Sequence, residues 1–389
     1  MFLFVLFRMR RDFSKKISPL LHFSKANEKN DSGIFPAMKK IFSAVLILFL
    51  FHFAFAQEKP LTQTEYVKRI YALQKNPGGR QDLIEIIRRI GIGFELTDGL
   101  RGLTRSKSAN DEELKRALEE AERRRQNPTA AKLPSQKEAM EVLEKTRKNT
   151  LAAVEEMPDF VVKQQIQRSA AYAGTNNFRN LDKLIVAVSY RSSGQEDYKV
   201  LSLNGVIQEN SKSKQSYEEV GGTSSTGEFV TVLATIFKPE SEAKFNLIDT
   251  DVIRGRRAVV YNYSVTRDKA KQRVTASRYI TDSAVTGMKG KIWIDRENFR
   301  VLRVESEATE LPEFFPIRTA KRVIDYDWVK ISEEKYLLPS LSDVRLTFRE
   351  NSKVFETRNL IRFKDYQKFG TDVIILDDDN AEIPTEDKP

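Results

Sequence analysis

The sequence predicts an α+β protein: a curved antiparallel β-sheet, a half-barrel of about ten strands with packed helices, preceded by a small all-α module. Three observations carry this. Apolar residues recur at helical spacing from Thr64 to Gln126. From Asp159 to Phe369 the period changes to two, with one apolar and one polar face per strand, as antiparallel sheets require. Inside that region a single stretch, 226–237, returns to helical spacing.

The first 56 residues stand outside the fold. Residues 41–55 read IFSAVLILFLFHFAF, after Met38-Lys39-Lys40, with Ala54 and Ala56 at the −3 and −1 positions of a cut before Gln57. A basic start, a short apolar run and small residues at the cut make an export signal. An uncleaved anchor is the competing reading, but the run is shorter than the ~18 residues a span needs. Translation is expected to start at Met38, with 1–37 an over-extended start. Residues 1–56 hold nine Lys/Arg, three Asp/Glu and both histidines, His22 and His52, so the remaining 333 residues carry +4 rather than +10. Most of the basic excess therefore belongs to the leader, and nucleic-acid binding loses its support. The expected location is the periplasm, with secretion or outer-membrane association as alternatives. After cleavage the chain is not an integral membrane protein.

Residues 57–126 form the helical module. Thr64 is the candidate cap of the first helix, with Tyr66, Val67, Ile70, Tyr71 and Leu73 at helical spacing, and Asn76-Pro77-Gly78-Gly79 breaks it. Leu83, Ile84, Ile87 and Ile90 make one stripe over 80–90, ended by Gly91. Thr97 caps a short turn of helix, and Asp111 caps a charged helix rich in i,i+3 and i,i+4 pairs. A solvated helical spacer is the competing reading. NPTAAKLPSQ, 127–136, has linker composition. One longer helix follows, with Ala139, Val142, Leu143, Thr146, Leu151 and Val154 on one side, and Met157-Pro158 stops it.

From there to 369 the half-barrel is built of strands at 160–168, 184–191, 197–203, 256–266, 272–281, 289–295, 299–307, 320–330, 342–349 and 353–365. Val344, Leu346 and Phe348 share one face, while Asp343, Arg345 and Thr347 share the other. Asn204-Gly205 is a type I′ hairpin turn, and Arg296-Glu297-Asn298 makes a second tight turn. Phe229, Val230, Leu233, Ile236 and Phe237 form the helix at 226–237, closed by Pro239. Residues 370–389 make an acidic tail, with six acidic residues and one lysine from Leu376 on, a composition that disfavours folding.

The chemistry is limited by what is missing. There is no cysteine, and no histidine beyond the leader. Disulfides, thiol nucleophiles, histidine-based triads and ordinary zinc sites are thereby excluded. No cofactor is expected. Gly221-Gly222 is followed by Thr-Ser-Ser-Thr-Gly, which lacks the lysine of a phosphate loop and reads as a surface loop. The pairs Asp249/Asp251, Asp325/Asp327 and Glu305/Glu307 alternate on strands and each shares a face. They would suit calcium or glycoside hydrolysis only as a convergent set, and solvated-face charges explain them more simply. The aromatic residues say more. Tyr261, Tyr263, Ile292, Ile294, Tyr326, Trp328, Leu346 and Phe348 form an apolar stripe, either a core face or, on a curved sheet, a hydrophobic trough. The loop Leu311-Pro312-Glu313-Phe314-Phe315-Pro316 is a candidate gate, Phe314 and Phe315 at its tip.

An export leader, a helix and about ten antiparallel strands with a helix between them resemble the half-barrel of periplasmic lipoprotein carriers of the Lol type. GKIWIDRENFRVLRVESEA, 290–308, carries much of the likeness, since a hairpin of this form recurs in the middle of that sheet. TGEFVTVLATIF and 251–265 are similar to carrier-like secreted proteins of acidobacterial type. The helical block, with its GFELTDGL turn, is similar to a module of secreted proteins from the same bacteria. The resemblance covers about 157–369. It implies a curved sheet closed on one side by helices, acyl chains or partner proteins in the trough, and no cofactor.

The first functional reading is a non-enzymatic binding or carrier-like protein holding a lipid or acyl ligand in the trough. The second is an envelope interaction or regulatory scaffold whose helical module docks a protein partner. A carboxylate-based glycan hydrolase is a remote third.

Overall fold

The computed structural model describes residues 59–129, 131–208, 222–277, 281–350 and 352–369. The predicted cleavage-site residues Ala54, Ala56 and Gln57 and the predicted acidic tail lie outside the described residues. All described residues belong to one compact unit.

Four helices build the module: α1 (Gln63–Ala72), α2 (Arg80–Ile90), α3 (Asp98–Lys107) and α4 (Glu112–Gln126). The cap of α1 is Thr62 rather than Thr64. The reason is Glu65, three residues on, whose carboxylate accepts the Thr62 N–H while Thr62 accepts the Glu65 N–H, a capping box that Thr64 has no glutamate to complete. Gly91, at φ 71°, ends α2 where a side chain would be strained. Thr97 caps all ten residues of α3, and Asp111 caps α4 by accepting Leu114 N–H at 2.8 Å. The module has its own core of Tyr66, Ile70, Leu83, Ile84, Ile87, Leu114 and Leu118, all nearly fully buried. At ~1.5–3 kcal/mol for each large side chain, that is a folded body, not a solvated spacer.

After α5 (Gln136–Glu155) come the strands β1 (Phe160–Tyr172), β2 (Arg179–Tyr190), β3 (Glu196–Leu203) and β4 (Val206–Ile207). The short helix α6 (Thr231–Phe237) leads to β5 (Lys244–Ile253) and β6 (Arg256–Val265). Then follow α7 (Arg267–Ala270), β7 (Gln272–Ser277), β8 (Thr281–Asp295), β9 (Val301–Thr309), β10 (Ile317–Ile331), β11 (Glu334–Glu350) and β12 (Lys353–Lys368). They form one curved, unclosed antiparallel sheet in the order β4-β3-β2-β1-β12-β11-β10-β9-β8-β6-β5, with β7 on β8. The chain starts in the middle at β1, runs out to the β4 edge, crosses to the opposite edge at β5, and returns strand by strand to pair β12 with β1.

Two strands exceed the expected ten. One is β4, the short return of the Asn204-Gly205 turn, whose φ values of 51° and 80° suit type I′. The other is β5, whose aspartates had read as surface charge. The expected helix at 226–237 shortens to α6, and residues 222–230 run as a non-helical strap.

The inner face of the sheet buries Phe160, Val162, Val186, Tyr261, Ile292, Ile324 and Ile361. Helices α5 and α6 cover it through Ala139, Val142, Leu233, Ile236 and Phe237. Tyr261 donates its hydroxyl to Ala139 O at 2.7 Å, fixing α5 on the sheet.

Gly290 sits where β8 bends against β9. A Cβ there would lie 1.8 Å from Glu305 O, and Tyr263, directly across on β6, donates its hydroxyl to that same carbonyl at 3.1 Å. The ring fills the space above the glycine. Gly290→Ala should therefore destabilise the protein by about 1–3 kcal/mol in urea unfolding. Gly102→Ala, on α3 with nothing within 4 Å, should stabilise it by about 0.5–1 kcal/mol. Equal effects at the two sites would contradict the packing described.

Candidate functional site

The predicted trough stripe does not stay together. Tyr261, Tyr263, Ile292, Ile294 and Tyr326 gather in one buried cluster under α5 and α6. That part of the stripe is filled core. Trp328 is 43% exposed and leaves the cluster. Past Tyr326 it is Val329 and Ile331 that pack on the inner face, and the β10–β11 register is irregular just before them, where β11 carries the extra residue Ser340. Leu346 packs against a separate cluster of Val274, Ala284, Ala308, Phe315 and Ile317, and Phe348 stacks on Phe355 at 5.9 Å. The candidate gate divides as well. Phe315 is buried in that separate cluster, while Phe314 is 91% exposed. One residue anchors the loop and the other points away from any trough.

What lies over the rest of the inner face is the strap 222–230. Thr223 bonds the Thr357 hydroxyl at 2.8 Å, and Asn359 Nδ2 donates to Thr223 O at 2.6 Å. Arg322 Nη1 donates to Thr226 O at 3.0 Å, and Gly227 N donates to Glu196 Oε2 at 3.0 Å. Gly227, at φ 78°, makes the turn that aims the next two residues inward. Glu228 is fully buried, and Phe229 seats its ring among Phe160, Tyr190 and Phe363 with centroids 5.3–5.9 Å away. The floor beneath includes Gln164, Ser342 and Asn359, buried polar residues on otherwise apolar rows. A sequence signal for this existed. Gln164 interrupts the alternation Phe160, Val162, Ile166, and Arg322 interrupts Ala320, Ile324, Tyr326. Glu228 and Phe229 were hidden by the apparent helix.

At the β5–β9 end the outer face is covered rather than solvated. Helix α4 lies against it, and the carboxylates read as surface charge are buried there. Asp249 accepts from Arg124 Nη2 at 2.7 Å and Arg88 Nε at 3.2 Å. Asp251 accepts from Arg123 at 2.8 Å, Arg116 at 3.2 Å and Trp293 Nε1 at 3.0 Å. Glu120 of α4, 1% exposed, accepts from Arg123, Arg257 and Thr250. Thr250 also reaches Ala131 O at 3.3 Å, so the chain at the buried Ala131 is held against the sheet. Arg303 clamps Asp325 with two bonds of 2.6 Å. Asp327 stays exposed. Arginine thus commits Asp249, Asp251 and Asp325 to docking and packing.

Beside the docked α4, a groove of about 540 Å³ crosses the outer face of β5, β6, β8, β9 and β10. Lys244, Lys289 and Lys321 stand along it, with Glu305, Glu307 and Glu113. Burial pushes the Glu305 carboxyl up. Burial would raise Glu113 too, but Lys291 at 2.9 Å and Arg88 at 3.1 Å overcome it and hold this carboxyl below its ordinary range.

No family model matches the sequence, and no curated protein does. Among solved structures the chain is similar to a DUF1329 family protein from Desulfovibrio piger, at 8% identity and TM-score 0.26, covering 59% of this chain and 94% of that one. It is similar to the MucA/MucB complex structure of Pseudomonas aeruginosa at 10% identity and TM-score 0.17, covering 58% and 94%. A structure of MucB with MucA(peri) gives 10% and 0.15, covering 56% and 93%. Likeness at these TM-scores adds nothing to the geometry of the site.

Asp251→Ala takes the carboxylate from Arg116 and the acceptor from the buried Trp293 Nε1, while Arg123 keeps Glu120, and should cost about 1–3 kcal/mol in urea unfolding. Asp327→Ala, at the exposed position nearby, should stay within about 0.5 kcal/mol. Glu113 has the sign of a depressed carboxyl. Its contribution is complete above the unfolded value of 4.5 and is lost as pH falls through the lower folded value. Glu113→Gln should therefore lower Tm at pH 7, and the gap from the wild type should close as pH drops below about 4. A gap that is constant from pH 7 to 3 would contradict this sign.

Proposed function

We propose that this is an exported, non-enzymatic binding or carrier-like protein that takes a hydrophobic, acyl-type ligand on the inner face of its open sheet. One observation carries the reading: the aromatic pocket of Phe160, Tyr190 and Phe363 is filled by Phe229 of a non-helical strap, not by the sheet itself. A ring delivered by a short strap is a replaceable occupant, whereas one projecting from a floor strand is not. The Lol-type resemblance of the sequence supports the same reading, and so does its export signal, which favours the periplasm. Among the described residues no helix is long and apolar enough to cross a membrane.

The test is mass spectrometry of organic extracts from protein purified from its native envelope, alongside thermal shifts with acyl ligands. Acyl species near one per chain, or a Tm that rises with added ligand, are the expected results. An empty extract together with no shift for any acyl ligand would remove the reading.

The groove beside α4 favours a second reading, an envelope interaction or regulatory scaffold. In that reading the partner meets the sheet's outer face, because the module's arginines are already committed to the chain's own aspartates. Lys289→Glu with Lys321→Glu should release an envelope partner that the wild type retains. Identical partners in both would end it.

A further inference from the structure

Glu228 is 0% exposed, yet it has poor company. Its Oε1 accepts the Ser225 hydroxyl, the Arg322 guanidinium stands 3.9 Å off, and its Oε2 has no hydrogen-bond partner. The inner face around it repeats the pattern. Neither amide atom of Gln164 has a partner, nor does the Tyr326 hydroxyl or the Ser342 hydroxyl, and Asn359 leaves Oδ1 bare. These residues stand on β1, β12, β11 and β10, four adjacent strands roughly 14 Å across, interleaved with apolar positions: Gln164 faces Phe363, Ser342 lies between Ile361 and Ile324, and Asn359 faces Val344. A finished core pairs such groups or replaces them with apolar ones, since each bare buried group costs about 1–3 kcal/mol. Immediately next to the carboxylate comes Phe229, buried in its aromatic box. An acid head joined to an apolar group is the chemistry of an amphiphile.

We propose that Glu228 and Phe229 are a built-in stand-in for the ligand, and that the site under the strap takes an anionic single-chain amphiphile. The ligand's acid head takes the place of the Glu228 carboxylate beside Arg322. There it gains the donors of Tyr326 and Ser342 that Glu228 does not use. Its chain takes the place of Phe229 among Phe160, Tyr190 and Phe363. The strap is displaced as the ligand enters, which exchanges four polar attachments and one ring for a better-satisfied head and a longer apolar contact. This rests on the carrier reading above and adds to it the charge of the ligand and the device that keeps the site shut.

The chain has no cysteine, so the strap can be locked by one disulfide. Thr223 and Thr357, whose hydroxyls meet at 2.8 Å, are the positions. In Thr223→Cys/Thr357→Cys, a fluorescent C18 fatty acid should bind at least ten-fold more tightly to the reduced than to the oxidised protein. The two states share one sequence, so a folding defect cannot imitate the difference. Phe229→Ala should bind the acid more tightly than the wild type does. The matching C18 alcohol should bind the wild type at least ten-fold more weakly than the acid, and Arg322→Gln should erase that preference. Equal binding by oxidised and reduced protein overturns the strap while leaving the carrier reading in place. Equal binding of acid and alcohol overturns the charge of the ligand. No binding of the acid by either the reduced protein or Phe229→Ala overturns the proposal, whereas the carrier reading falls only if the organic extract is also empty and no acyl ligand shifts Tm.

Discussion

Asp249 and Asp251 project from the edge strand β5, each against two guanidinium groups of the helical module. Much of the architecture depends on that contact. A free edge strand exposes unpaired backbone groups and invites pairing with another chain. Here α4 and the segment after it lie along β5, and the aspartates fix them there. The module consequently covers the outer face of the same end of the sheet, over Val260 and Trp293. The sheet stays open, with β4 and β5 as its two ends. The inner face must then be covered by elements other than strands, and α5, α6 and the strap supply the cover.

Buried ion pairs are poor sources of net stability, because desolvation offsets most of the attraction. Their strength lies in what they forbid. Asp251 without Arg123 and Arg116 is an uncompensated charge in a dry place, so the module has one acceptable position. Trp293 adds a directional bond to the same carboxylate and lies about 6 Å from both Arg116 and Arg303. Apolar contact alone would allow the helices to slide on the sheet. The arginines specify register.

The fold was legible where a residue's own neighbours decide its structure. Asp111 and Thr97 cap the helices that their local sequence announces. Asn204-Gly205 turns as its backbone preferences require, and Asp295 closes the predicted turn before β9 by accepting the N–H groups of Glu297 and Asn298. The site was less legible, because it depends on what distant elements cover. Tyr261 and Tyr326 read as either trough or core, and only the arrival of α5 and α6 decides for core. Asp249 and Asp251 read as surface because the helix that buries them is more than 100 residues away in the chain. Phe229 had the spacing of a helix, but with Gly227 at positive φ and the segment before it tied to Asn359 and Arg322, the helix starts only at Thr231 and Phe229 lies in the turn ahead of it. In each case a tertiary contact overrode a local pattern.

The two polar regions of the sheet differ in how completely they are satisfied, and the difference assigns them different roles. On the outer face both oxygens of Asp249 and both of Asp251 accept hydrogen bonds from arginine. Among the guanidinium groups there Arg116 Nε and Arg257 Nε stay bare, but every oxygen of the two aspartates is paired, so the module is a fixed part of the fold. On the inner face Gln164, Ser342, Tyr326 and Glu228 keep unused donors and acceptors at buried positions. An incoming group with the right charge improves on that arrangement, and the cover above it is a strap rather than a packed helix. Saturated contacts resist exchange, and unsaturated ones favour it. The module side of the sheet is accordingly the fixed side, and the strap side is where the molecule can respond.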